Sequence, residues 1–167
     1  MTRLQEQIET TLPIDDVFAF IADFANSMAW DPGTATSERM DAGPVGVGAR
    51  YRLGVRMRGR VVPMEYRVTA FEPPRRVVLH GSGSGVAAVD EIRFEPVGTG
   101  TRVLYTADIR LGGLMRLVQP FLGRAFAKIA HDALDGMRRA LDARAALVGA
   151  ATAGQQGSRP LDDGARS

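Results

Sequence analysis

The alternation of apolar and polar positions changes character near Gly112. Upstream it runs mostly with a period of two; downstream, through Val148, it runs in steps of three and four. The downstream apolar positions are Phe121, Ala125, Phe126, Ile129, Ala130, Ala133, Leu134, Met137 and Leu141, one side of an otherwise charged helix. A lone helix cannot bury that side against itself, so it must lie on the strands before it. The pattern starts at Leu114 after Gly112-Gly113, and Pro120 should kink it or split off a short helix.

The earlier part divides into short elements. Leu4, Glu6, Ile8 and Thr10 alternate with Arg3, Gln5, Gln7 and Glu9, which predicts a half-buried strand. Ile14, Val17, Phe18 and Ile21 stand at i, i+3, i+4 and i+7 behind Pro13, with Asp15 and Asp16 favouring a helix N-terminus. A second helical turn, Phe24 to Trp30, stops at Asp31-Pro32-Gly33. Six strands are then predicted, over Thr34–Met40, Tyr51–Met57, Val62–Ala70, Arg76–His80, Val86–Glu95 and Thr101–Leu111. Pro63 hints at an edge or a bulge, and Gly81 to Gly85 reads as a turn. Sequential hairpins imply an antiparallel arrangement. The predicted class is α+β: a seven-stranded antiparallel sheet wrapped around a long C-terminal helix, with two short helices after the first strand. After Val148 the periodicity ends in an Ala/Gly/Gln/Ser/Pro segment, so residues 1–147 are expected to form the domain and 148–167 a disordered tail.

Composition narrows the picture modestly. The chain has 167 residues and no cysteine, which excludes disulfides and thiolate chemistry. No run approaches ~18 apolar residues, so no integral membrane segment is expected. The first residues lack the apolar core of a secretory signal, and a cytoplasmic location is expected. Net charge is +2, and of 21 basic residues only Lys128 is lysine. Arg50, Arg52, Arg56 and Arg58, with Arg60 and Arg67 nearby, form an outward stripe expected to pair across strands with acids such as Glu65, Glu91 and Glu95. No outward aromatics are interleaved for base stacking, so no nucleic-acid partner is expected. Oligomeric state leaves no trace in the pattern.

Several segments carry a family resemblance. They are Leu12-Pro13-Ile14-Asp15-Asp16-Val17-Phe18, Trp30-Asp31-Pro32-Gly33, Phe71-Glu72-Pro73-Pro74-Arg75-Arg76, Phe94-Glu95-Pro96 with Gly100-Thr101, and Pro120-Phe121-Leu122. With this element order, the chain from about residue 3 to 147 resembles the START-like helix-grip superfamily, in particular bacterial polyketide cyclase/dehydrase (SRPBCC) members. The resemblance implies an apolar cavity between sheet and helix, entered near the short helices. Superfamily members bind or transform very different ligands and share no catalytic motif, so no catalytic set carries over.

The inward phase then supplies the candidates. Trp30, Tyr51, Leu53, Val55, Met57, Met64, Tyr66, Ile92, Phe94, Tyr105, Phe126 and Leu134 are the expected ligand-binding set, although most inward strand residues are expected to be simply core. Trp30 reads either as a lid or as a packing anchor. Asp90 shares the phase of Ile92 and Phe94; its ordinary reading is a turn-proximal carboxylate touching water. If buried instead, its pKa should rise, which suits a general acid or base, with Tyr66 and Tyr105 as companions. Glu6 is a weaker case of the same kind. His131 with Asp135 one turn on reads as a solvent-facing pair, and the two histidines lack metal-ligand spacing, so no metal and no cofactor are expected. The Gly81–Gly85 run has no helix after it to complete a phosphate cradle. Two functions follow as expectations: a carrier or sensor of a small hydrophobic molecule, or a cofactor-independent cyclase/aromatase-type enzyme.

Overall fold

The computed structural model describes residues 2–57, 59–113 and 123–156, without the side chains of 123–126 and 151–156. The chain begins with strand β1 (Thr2–Thr10), helix α1 (Ile14–Ala22), a 3-10 turn (Phe24–Asn26) and one helical turn, α2 (Ser27–Trp30). Six strands follow: β2 (Thr34–Arg39), β3 (Arg50–Met57), β4 (Arg60–Glu72), β5 (Arg76–Gly83), β6 (Val86–Val97) and β7 (Gly100–Leu111). Helix α3 (Gly123–Gln156) closes the described chain. The seven strands form one sheet in the order β1-β7-β6-β5-β4-β3-β2, antiparallel throughout. This is the helix-grip α+β fold, with α3 packed against β1 and α2.

Local chemistry explains the element ends. Asp15 and Asp16 occupy the first turn of α1. The Asp23 carboxylate accepts from the N–H of Ala25 and opens the 3-10 turn. Asp31 ends α2: its carboxylate accepts from the N–H of Gly33 (2.8 Å) and the hydroxyl of Thr34 (2.8 Å), which turns the chain into β2. Deep in the fold, the Thr101 hydroxyl donates to the carbonyl of Leu12 (2.8 Å) and fixes β7 to the β1–α1 junction.

Three elements differ from the sequence expectation. The glycine run is not one turn, because β5 continues through Gly83 and the reversal takes only Ser84 and Gly85, with φ of 50° and 77°. Two consecutive positive φ values give the twist that suits a two-residue hairpin. Gly81 is instead a strand residue whose missing side chain leaves room for a ring: a Cβ there would lie 2.4 Å from Cε1 of Tyr66. Pro63 lies in an interior strand, at a position beyond the last β4–β5 pair, Glu65 with Ser82, where no ladder donor is needed on that side. Finally, α3 continues through Gln156, past Val148. Alanine-rich sequence favours helix even where no apolar stripe remains to be buried. The expected helix start at Leu114, the break at Pro120, Arg58 and the segment after Gln156 lie outside the described residues.

On the outer face Arg52 of the stripe pairs as expected, 3.7 Å from Glu65. Glu91 and Glu95 instead take arginines from outside the stripe: Glu91 takes Arg76 and its strand neighbour Arg93, and Glu95 faces Arg102. His131 and Asp135 pair at 3.4 Å on the exposed side of α3.

Candidate functional site

The inner face of the sheet is filled at one end and open at the other. Under α1, Phe18 packs edge-on against Phe71 and Phe94, each at 5.2 Å between ring centroids. Ile92, Val77, Val103 and Tyr51 are fully enclosed in the same core. Toward the far ends of the strands a cavity of about 310 Å3 lies between the sheet, the α2–β2 turn and α3. Its wall is mostly apolar: Leu4, Leu53, Val55, Met57, Met64, Val86, Ala88, Ala107 and Ile109 from the strands, and Ile129, Ala130 and Ala133 from the helix.

Polar atoms sit at two levels. On the inner wall the Tyr105 hydroxyl donates to Oδ1 of Asp90 at 3.0 Å, and Tyr66 lines the same cavity. Asp90 is only 4% exposed, because β6 and β7 run on past it to Val86 and Leu111. Burial pushes its carboxyl up to about 7, against the Tyr105 hydrogen bond, which lowers it, and with help from the Asp31 charge. Tyr66 and Tyr105 are held well above the usual phenol range, first by burial and then by the neighbouring Asp90 carboxylate. At the rim stand Asp31, Arg56 and Asp132. Burial raises the carboxyl of Asp31 as well, opposed by its hydrogen bonds to Thr34 and Gly33 and by the Arg56 charge.

Trp30 combines the two roles open to it in the sequence. It is buried against Phe24, with ring centroids 5.7 Å apart, and it also lines the cavity. Its indole N–H is buried with no acceptor among the described residues. Behind it the backbone meets α3 so closely that a Cβ on Gly136 would stand 2.4 Å from the Trp30 carbonyl oxygen.

Of the residues expected on a cavity wall, Trp30, Leu53, Val55, Met57, Met64, Tyr66 and Tyr105 lie on it, together with Asp90. Tyr51, Ile92, Phe94 and Leu134 lie instead in the packed core, where large side chains leave no space. The side chain of Phe126 is outside the described residues. Asp90 corrects its ordinary sequence reading: it is enclosed rather than touching water. Asp31 and Asp132 went unrecognised as cavity residues. Asp31 reads in sequence only as a turn former, although Trp30-Asp31-Pro32-Gly33 places it beside the one tryptophan. Arg56 belongs by phase to the outer stripe, yet it lines the rim, where its backbone N–H donates to the Gly33 carbonyl at 2.7 Å. Among the described residues no three His, Asp or Glu side chains come together as a metal ion would require.

A sheet gripping a long helix around an apolar, partly open cavity defines a helix-grip ligand-binding fold. The sequence profile of the polyketide cyclase/dehydrase and lipid transport family matches residues 1–142, and the chain belongs to that family. Among curated proteins none matches it in sequence. Solved structures share the fold at low identity. A START superfamily protein from Mycobacterium smegmatis is 16% identical with a TM-score of 0.69, covering 89% of this chain and 99% of its own. The Zhui aromatase/cyclase from Streptomyces sp. R1128 is 17% identical with a TM-score of 0.70, over 86% and 94%. The di-domain aromatase/cyclase BexL of the BE-7585A biosynthetic pathway is 19% identical with a TM-score of 0.67, over 85% of this chain and 47% of its own.

Proposed function

We propose that the protein binds a small hydrophobic or amphipathic molecule inside this cavity, as a carrier or sensor. The observation that carries the reading is an apolar space of about 310 Å3 with polar groups confined to a few points on its wall. A dry void of that volume would cost about 7 kcal/mol at ~24 cal/mol per Å3. That is comparable to the whole stability of a domain, about 5–15 kcal/mol. The rim admits water, which lowers this cost, but water gains few hydrogen bonds against Met57, Met64, Ala88 and Ala107. An apolar guest displaces it favourably. A panel of lipids and polycyclic aromatics should raise the melting temperature, and native mass spectrometry should show the guest retained. No shift across the panel, with no adduct, would refute the reading.

One observation favours a second reading, a cofactor-independent polyketide cyclase/aromatase-type enzyme. Asp90, with a pKa of about 7, stands hydrogen-bonded to Tyr105 in the cavity wall. The likeness to two aromatase/cyclases supports it. A carboxylate of that basicity can take a proton from carbon beside a ketone, while the phenol O–H of Tyr66 holds the enolate oxygen and Tyr105 orients Asp90. The new carbanion attacks a second carbonyl of the same confined chain, the resulting alkoxide is protonated, and water is later lost; no oxidant is needed. Turnover of a poly-β-ketone substrate by the wild type, reduced at least a hundredfold in Asp90→Asn, would support it. Equal turnover in wild type, Asp90→Asn and Tyr66→Phe would remove these residues from any mechanism.

A further inference from the structure

Resting on the ligand-binding reading, we infer that the guest's polar end is an uncharged hydroxyl, an alcohol or phenol, seated against Asp90, and that the cavity rejects carboxylate head groups. The charged lining is one-sided. Among the described residues it contains three carboxylates, Asp31, Asp90 and Asp132, against one guanidinium, Arg56. Arg56 stands at the rim and is exposed, so its charge is screened by water, whereas Asp90 is enclosed. A fatty-acid anion placed with its head inward would meet a like charge in a poorly solvated space.

The hydrogen-bonding inventory points the same way. Tyr105 already donates to Oδ1 of Asp90, which leaves the second carboxyl oxygen to accept from a guest. Trp30 offers the complementary need, a buried indole N–H without an acceptor. A hydroxyl both donates and accepts; a carboxylate only accepts and an ammonium only donates. Among the described residues, Tyr66 from β4, Tyr105 from β7 and partly buried Glu6 from β1, paired with Tyr105, add no positive charge to this balance.

The test uses one chain length and three head groups, 1-decanol, decanoate and decylammonium, at pH 8. Binding is followed by fluorescence of Trp30, the only tryptophan, and checked by calorimetry. Decanol should bind at least tenfold more tightly than decanoate and more tightly than decylammonium. In Asp90→Asn decanol should weaken several-fold, because its hydroxyl loses a charged acceptor, while decanoate loses a like charge and does not weaken, so the handicap of decanoate should shrink at least threefold. Decanoate within threefold of decanol in the wild type, decylammonium ahead of decanol, or an unchanged handicap in Asp90→Asn would each overturn the inference while leaving ligand binding intact. Failure of all three amphiphiles to bind would instead overturn the ligand-binding reading on which it rests.

Discussion

The two ends of the sheet's inner face share strands and phase, yet one is solid and the other hollow. On β6 the inward residues run Phe94, Ile92, Asp90, Ala88, Val86; on β7 they run Val103, Tyr105, Ala107, Ile109. The ring of Phe18 fills the first end, and at the second the described part of α3 presents the small Ala130 and Ala133, with Ile129 and Asp132 beside them. The difference is side-chain volume, and it changes at the Asp90–Tyr105 pair. That pair is therefore a boundary as well as a polar site. It separates a region where stability is made from one where space is kept.

The sharpest way to break the comparison is to hollow the solid end. Phe94→Ala should cost about 3–5 kcal/mol, because close-packed neighbours collapse only partly around the loss. For a chain of this size the melting temperature should fall on the order of 10 °C. A loss under about 1 kcal/mol in urea unfolding would mean that the α1 end is no better packed than the cavity.

The boundary itself should be visible in the pH dependence of stability. The folded-state pKa of Asp90 is raised from 3.8 to about 7, so the folded protein holds that proton more tightly than the unfolded chain. Its contribution is complete below pH 3.8, is lost as pH rises to about 7 and is level above. Asp90→Asn has no such titration, and Asp31, also raised, titrates in both proteins, so most of its contribution drops out of the difference. Relative to the variant, the wild type should lose on the order of 2–4 kcal/mol between the two plateaus. A difference that stays flat with pH would show that Asp90 is solvated.

The junction of α2 with α3 tests the rim. A Cβ at Gly136 would stand 2.4 Å from the Trp30 carbonyl oxygen and 2.7 Å from Cδ of Pro32. Overpacking typically costs ~1–3 kcal/mol, while Gly→Ala inside a helix returns about 1 kcal/mol. Gly136→Ala should therefore destabilise by up to about 2 kcal/mol and shift Trp30 fluorescence. A variant more stable than wild type would mean that the helix can slide without disturbing the rim.

The strands along the chain, the short helices and the closing helix were legible because each depends on local periodicity. Inward phase was legible too, and it correctly put Leu53, Met64 and Tyr105 on the inner face. Position along the strand was not, because phase cannot say whether an inward residue meets Phe18 or open space. Tyr51, Ile92 and Phe94 were therefore grouped with Met57 and Met64 although they face opposite ends. Asp90 looked wet because the glycine run after His80 looked like a single turn; β5 and β6 in fact pair on through Gly83 and Val86, carrying the sheet past it. The missing signal lay in residue size: Ala88, Ala107, Ala130 and Ala133 are small residues on inward positions of three elements that face one another.

That signal yields the smallest expected change in stability and the most discriminating one. Ala107→Leu adds three carbons at a position that borders the cavity, so backbone need not move, and stability should stay within about 1 kcal/mol of wild type. Four residues earlier on the same strand, Val103→Leu adds one carbon against Phe94 and Ile8 and should cost about 1–3 kcal/mol. Ligand response should run the other way. Ala107→Leu should abolish the thermal shift given by any guest that works on the wild type, and Val103→Leu should preserve it. Larger damage from the larger addition at Ala107, with the ligand response intact, would place the open space elsewhere in the fold.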